Sequence, residues 1–209
     1  MNTSAPKRKS RIRQRNEKAI LSAAEKIFAK RGFGAATTAE IAQSAGIPKA
    51  NLHYYFHTKE DLYTCVLEDI LDTWLTAAED FDEQQDPKTA LGNYIRTKVE
   101  LSRTRPQASK IFAKEIISGA PFLKDHLRNN INPWLAEKRR VFKSWVAQDK
   151  VADVHVRHLF FLIWSMTQTY ADFSTQVEIV LDKPKLQKDD FDKATKMITD
   201  MVFSLCKLH

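Results

Sequence analysis

Residues between positions 49 and 55 carry groups suited to reading nucleic acid. Lys49, Asn51, His53, Tyr54 and Tyr55 bring an ammonium, an amide, an imidazole and two phenols, and Leu52 stands among them four residues before Phe56. On a helix that i, i+4 apolar pair turns inward and leaves Lys49, Asn51, His53 and the tyrosine hydroxyls outward, as donors and acceptors for base edges and phosphates. A second group lies far downstream. Trp164, Gln168 and Ala171 share one helical face, and the primary amide offers a donor and an acceptor in one plane beside an indole face. The opposing view is that tryptophans mostly pack and a buried glutamine often bonds a neighbouring helix.

Other chemistry is poorly provided for. His155 and His158 stand at i, i+3, but no third ligand accompanies them and Arg157 lies between. No serine or cysteine sits in a nucleophile elbow, and neither a phosphate loop nor a His-Glu zinc motif is present, so the expectation is no enzyme and no cofactor or metal. The two cysteines, Cys65 and Cys206, form no Cys-x-x-Cys pair, which points to a reducing, cytoplasmic setting. The longest apolar run, Leu159 to Trp164, is far too short for a membrane span, and the first twenty residues have no apolar segment of a secretory signal.

The elements that must hold these groups are helical. With only 5 glycines and 7 prolines in 209 residues, and many Ala, Leu, Lys, Glu and Gln, the composition predicts an all-α chain. Residues 1–15 hold Lys7, Arg8, Lys9, Arg11, Arg13 and Arg15 with almost nothing apolar and are expected as a disordered basic arm. Asn16 can cap a first helix whose face carries Ile20, Ala24, Ile27 and Phe28, ending near Arg31 before Gly32. Thr37 to Glu40 is a capping box for a short second helix stopped by Gly46. Pro48 suits the first position of a third helix to Phe56, and Thr58 to Asp61 opens a longer fourth through Trp74.

Helix, glycine turn and helix form a helix-turn-helix at about 37–56. Charge gathers there too: residues 1–65 carry 12 Lys/Arg and 5 Asp/Glu, whereas 66–209 carry 21 of each. A basic head at 16–65 on a neutral body at 66–209 fits a DNA-binding domain joined to a ligand-binding and dimerisation domain. Breaks in the body are expected near Pro87, Pro106, Pro121 and 147–154. A penultimate helix from Val156 to Val180 and a last one from Phe191 to Leu205 show broad apolar stripes. A nonspecific architectural DNA binder and a helical enzyme are the contrasting classes; the neutral body argues against the first and the missing motifs against the second.

The head resembles the TetR family of transcriptional regulators through Ile20-Leu21-x-Ala23-Ala24, Phe28, Gly32-Phe33, Thr37-Thr38, Ile41-Ala42, Ala45-Gly46-Ile47, Asn51-Leu52-x-Tyr54-Tyr55-Phe56 and Lys59-Glu60-x-Leu62. The resemblance implies a homodimer paired through its last two long helices on a palindromic double-stranded operator. It also implies a third helix that sets Lys49, Ala50, Asn51 and His53 into the major groove, with Thr38, Tyr54, Tyr55 and Lys59 near phosphates. Pro48 departs from the family's usual serine, which removes one hydroxyl. Within the body, Ile70-Leu71-Asp72-x-Trp74-Leu75, Tyr94-Ile95-Arg96-x-Lys98-x-Glu100-x-Ser102-Arg103, Pro106-Gln107-Ala108-Ser109 and Ile163-Trp164-x-x-Thr167-Gln168-x-Tyr170-Ala171-Asp172-Phe173 resemble the pyrimidine-utilisation branch, over roughly residues 16 to 180. That branch senses uracil and thymine. The likeness implies a repressor with Trp74, Trp164 and Gln168 as its effector pocket, joined by Lys98, Glu115 and Tyr170.

Overall fold

The structure is a computed structural model describing residues 5–79 and 81–208; among these residues it holds ten α-helices and no strand. Helix α1 spans Ala5–Ala35 and breaks at Gly32, whose φ of 73° and ψ of 164° suit a residue without a Cβ. Residues 5–15, expected to be disordered, continue α1, while residues 1–4 lie outside the described residues. Lys, Arg and Gln are good helix formers, and a helix already nucleated extends one residue at a time at little cost. Asn16 therefore lies inside the helix instead of capping it, and its amide donates to the Tyr55 hydroxyl at 3.1 Å.

Helix α2, Thr38–Ser44, begins with the expected box: the Thr37 hydroxyl accepts from Glu40 N–H, and the Glu40 carboxylate accepts from Thr37 N–H. Gly46, at φ 68°, makes the left-handed turn into α3, Lys49–Tyr55. Pro48 stands just before α3 with an extended ψ of 142°, one residue outside the position its sequence context suggests. Its ring fixes only φ, which is common to both conformations. Helix α4, Lys59–Thr76, opens with the second box, Thr58 with Asp61. It runs unbroken past Trp74 as expected, so the division between basic head and neutral body at residue 65 falls within it.

Helices α5, Pro87–Thr104, and α6, Pro106–Ile117, each begin at a proline. Helix α7 is Lys124–Ala147, α8 is Val156–Asp172, α9 is Ser174–Val180 and α10 is Lys188–Cys206. The single penultimate helix expected to Val180 is thus two helices, broken at Phe173 (φ −111°, ψ 29°). On either side of the break α6 holds the chain: Ser109 donates to the Asp172 carboxylate and Lys110 to the Ser174 hydroxyl.

Two apolar cores result. One packs α5, α7, α8 and α10 around Leu91, Tyr94, Phe142, Trp145, Phe160 and Ile198. The other joins Ile20, Phe28, Ile41, Leu52, Leu62 and Val66 of the first four helices to Ala108 and Ile111 of α6 and to Leu123. The head is therefore seated on α6 by continuous packing, not by a flexible linker.

Candidate functional site

Helix α3 presents a polar outer face. Lys49, Ala50, Asn51 and His53 are exposed, Tyr54 is 71% exposed, and Leu52 and Phe56 are buried as their spacing requires. Tyr55 is half-buried, its ring edge-on to Tyr54 at 5.4 Å and its oxygen held by Asn16. Thr38 is half-buried at the start of α2. Lys59 is placed differently from expectation. Its ammonium donates to the carbonyls of Phe33 (2.9 Å), Ala36 (3.2 Å) and Gly34 (3.4 Å) and lies over the Phe33 ring. Those carbonyls are left open where α1 breaks at Gly32, so the cation ties off a helix end, and its three donors are engaged without phosphate.

The largely apolar cavity in the body measures about 660 Å³, within the range of small-molecule sites. It lies where five helices meet: Leu71, Trp74 and Leu75 of α4, Tyr94 and Lys98 of α5, Phe112 and Ile116 of α6, Leu127, Arg128 and Ile131 of α7, and Trp164, Gln168 and Asp172 of α8. Trp74 meets Phe112 edge to face, with centroids 4.6 Å apart. The Trp164 indole N–H donates to the Tyr94 hydroxyl at 2.7 Å, which occupies an acceptor site of the phenol and leaves its proton to give. Burial pushes the Tyr94 phenol well above its ordinary range, so it stays protonated.

Lys98 is the cavity's unusual group. It is 2% exposed, and its Nζ lies 4.0 Å from the centre of the Trp74 ring. Burial pulls its ammonium down from 10.5 to about 7, against the opposing pull of the Asp172 carboxylate. Asp172 is itself raised by burial, against the Ser109 hydrogen bond and the charges of Lys98 and Lys110. An amine close to neutrality and a shielded carboxylate stand together on an aromatic wall, able to exchange donor and acceptor roles with a small polar ring.

Trp74, Lys98, Trp164 and Gln168 all border this cavity, whereas Glu115 and Tyr170 do not. Glu115 is buried on the far side of α6, accepting the Phe122 N–H at 2.7 Å; burial and the Glu115 charge together push the Tyr63 phenol up to about 12. Tyr170 packs on Phe191, with centroids 6.1 Å apart. Helical angle explains both. Tyr170 is two residues, about 200°, from Gln168, and on α6 it is Ile116, four residues from Phe112, that faces the cavity. The same spacing marks two residues the sequence reading omits, since Tyr94 precedes Lys98 by four and Asp172 follows Gln168 by four.

The His155 and His158 rings lie 4.5 Å apart, and no group of three His, Cys, Asp or Glu side chains among the described residues is arranged for a metal. No helix among them is long and apolar enough to cross a membrane.

Residues 20–64 match the family described as bacterial regulatory proteins, tetR family, and residues 67–209 match the YcdC-like protein C-terminal region. The HTH-type transcriptional regulator RutR of Escherichia coli K12 is 44% identical over 173 residues, covering 83% of this chain and 82% of that protein. Among solved structures, FadR from Bacillus subtilis in complex with stearoyl-CoA superimposes with a TM-score of 0.68 at 17% identity, covering 90% of this chain and 97% of that one. PfmR from Thermus thermophilus gives 0.67 at 21%, covering 88% and 97%. At such identities the structural likeness carries the fold alone.

Proposed function

The chain belongs to the TetR family of bacterial regulatory proteins, and on that premise we propose that it is a dimeric repressor released from its operator by uracil or thymine. The observation that carries the reading is Trp74. It stands on α4, whose first half is packed into the reading head and whose second half borders the cavity. Residues 16–65 read the operator through Lys49, Ala50, Asn51 and His53, with Thr38, Tyr54 and Tyr55 toward phosphates; residues 66–209 bind the effector and the twin subunit. Phe161 and Leu162 of α8 and Met197, Met201 and Leu205 of α10 are exposed apolar residues suited to a subunit interface. Two heads held about 34–36 Å apart match successive major grooves of a palindrome.

In the cavity the indoles of Trp74 and Trp164 supply flat apolar surface, the Gln168 amide pairs with a lactam edge, and Lys98 donates to a ring carbonyl. The likeness to pyrimidine-utilisation regulators supports this choice of ligand. A hundredfold loss of operator affinity needs only about 2.7 kcal/mol of preference for the released state. In this reading the protein acts by binding, without a catalytic step, in the cytoplasm with its DNA. Thermal unfolding against uracil, thymine, purines and amino acids tests the reading. Uracil at one hundred times its Kd should add about 2.7 kcal/mol, a rise of about 5–10 °C, and Gln168→Ala should remove it. No shift with either pyrimidine would overturn the ligand assignment.

A further inference from the structure

Among the described residues, Nε2 of His126 is the buried side-chain nitrogen left without a hydrogen-bond partner. His126 stands on α7 against α4. Its Nδ1 is 3.0 Å from Glu68 Oε1, while Nε2 stops 3.8 Å from Asp72 Oδ1. Glu68 and Asp72 are one turn apart on the same face of α4, so the ring lies along that face with one nitrogen engaged and the other about 1 Å short of a hydrogen bond.

The place of this unmade contact matters. Helices α4 and α7 are also two walls of the cavity, through Trp74 on one and Leu127 and Ile131 on the other. Further along, the Trp134 indole N–H donates to the Leu75 carbonyl at 3.2 Å and pins the two helices together. A shift of α4 about that pin is felt at His126, and α4 carries the reading head.

We propose that His126 is a positioning residue that couples the cavity to the head. In the arrangement described, Nδ1 meets Glu68 while Nε2 stays short of Asp72. When a ligand draws α4 against α7, the ring in its doubly protonated form donates from Nδ1 to Glu68 and from Nε2 to Asp72, and this stabilises the arrangement in which the heads leave the operator. The inference rests on the cavity being the effector site, and it adds a specific contact to the released state.

Two experiments test it. In the full-length dimer, operator affinity is measured with and without uracil for wild type, His126→Phe, Asp72→Ala and the double variant. The expected result is a response reduced about tenfold in each single variant with no further loss in the double, while affinity without uracil stays within twofold. Equal loss with and without uracil, or an undiminished response, overturns the proposal. The second experiment needs no effector. Glu68→His with Asp72→His sets three imidazoles around the contact, and nickel bound there forces the closure. Nickel should then lower operator affinity at least tenfold, and His126→Ala in that background should abolish the effect. If wild type ignores uracil but nickel releases the DNA, the pyrimidine assignment falls and the coupling contact stands. Nickel that binds without releasing DNA, or that fails to bind because the three positions do not converge, overturns it.

Discussion

Replacing Lys98 with methionine is expected to strengthen the fold while removing the response to effector. The unfolded chain holds this lysine's proton up to about pH 10.5, whereas the folded protein gives it up near 7 because the side chain is buried. Between those values the unfolded state binds more protons, so wild-type stability rises with pH across that window, and the whole cost of burying the cation is present below pH 7. The drop corresponds to an upper bound of about 5 kcal/mol. Attraction to the Trp74 face, worth up to about 2 kcal/mol when desolvated, reduces the net cost to about 2–3 kcal/mol. Methionine has a similar unbranched stem and no charge to bury. Urea unfolding of both proteins should therefore show Lys98→Met more stable by about 2–3 kcal/mol at pH 6.5, with about half of that gain left at pH 9.5. Uracil should no longer stabilise the variant. A gain equal at both pH values would mean that packing, not charge, is the cause, and a loss at both would refute the reasoning about Lys98 altogether.

Lys49→Ala should weaken operator binding by about 1–3 kcal/mol and random DNA far less; equal losses in electrophoretic titrations would refute a base-reading role. Lys59→Met should instead lower the Tm by about 4–8 °C through the loss of three carbonyl contacts, with the salt dependence of DNA binding unchanged; a slope reduced by about 1 would return Lys59 to the phosphates. Arg105 bridges Glu25 of α1 (2.7 Å) and Asp69 of α4 (2.9 Å), and Glu25 is largely buried. Arg105→Ala should cost about 2 kcal/mol in urea unfolding, and a loss below about 0.5 kcal/mol would class it with ordinary exposed pairs. Met201→Glu should convert the dimer to monomer in sedimentation runs and abolish tight operator binding, whereas a persistent dimer would move the interface off α10.

What can be read from the residues is whatever is decided within a few residues. Both threonine capping boxes and the Gly46 turn are local choices between backbone partners and are legible, as are the breaks at Pro87 and Pro106, though not that a helix starts at each. Where a helix simply continues, as through Asn16, or stops because a neighbour holds it, as at Phe173, the deciding interaction lies far away in sequence. Lys59 illustrates a chemical ambiguity, since an ammonium suits a phosphate and a set of helix-end carbonyls equally well. In the cavity, residue types are legible but angles are not. Glu115 and Tyr170 fit by chemistry and face elsewhere, whereas Tyr94 and Asp172 arrive by the i, i+4 rule once the neighbouring residues are fixed.

The packing of Ile20, Phe28 and Leu62 into one core with Ala108, Ile111 and Leu123 sets a limit on modularity. Regulators of this architecture invite exchange of heads to rewire which promoter answers which metabolite. Here a splice at residue 65 would cut α4 in mid-helix and leave the transplanted head facing a foreign α6. A working chimera must carry the inner face of α6 and the turn at 120–123 along with the head, so the heritable unit of DNA specificity is larger than the part that touches DNA. Sequence drift in that buried seam would then be constrained from both sides, by the promoter that is read and by the molecule that is sensed.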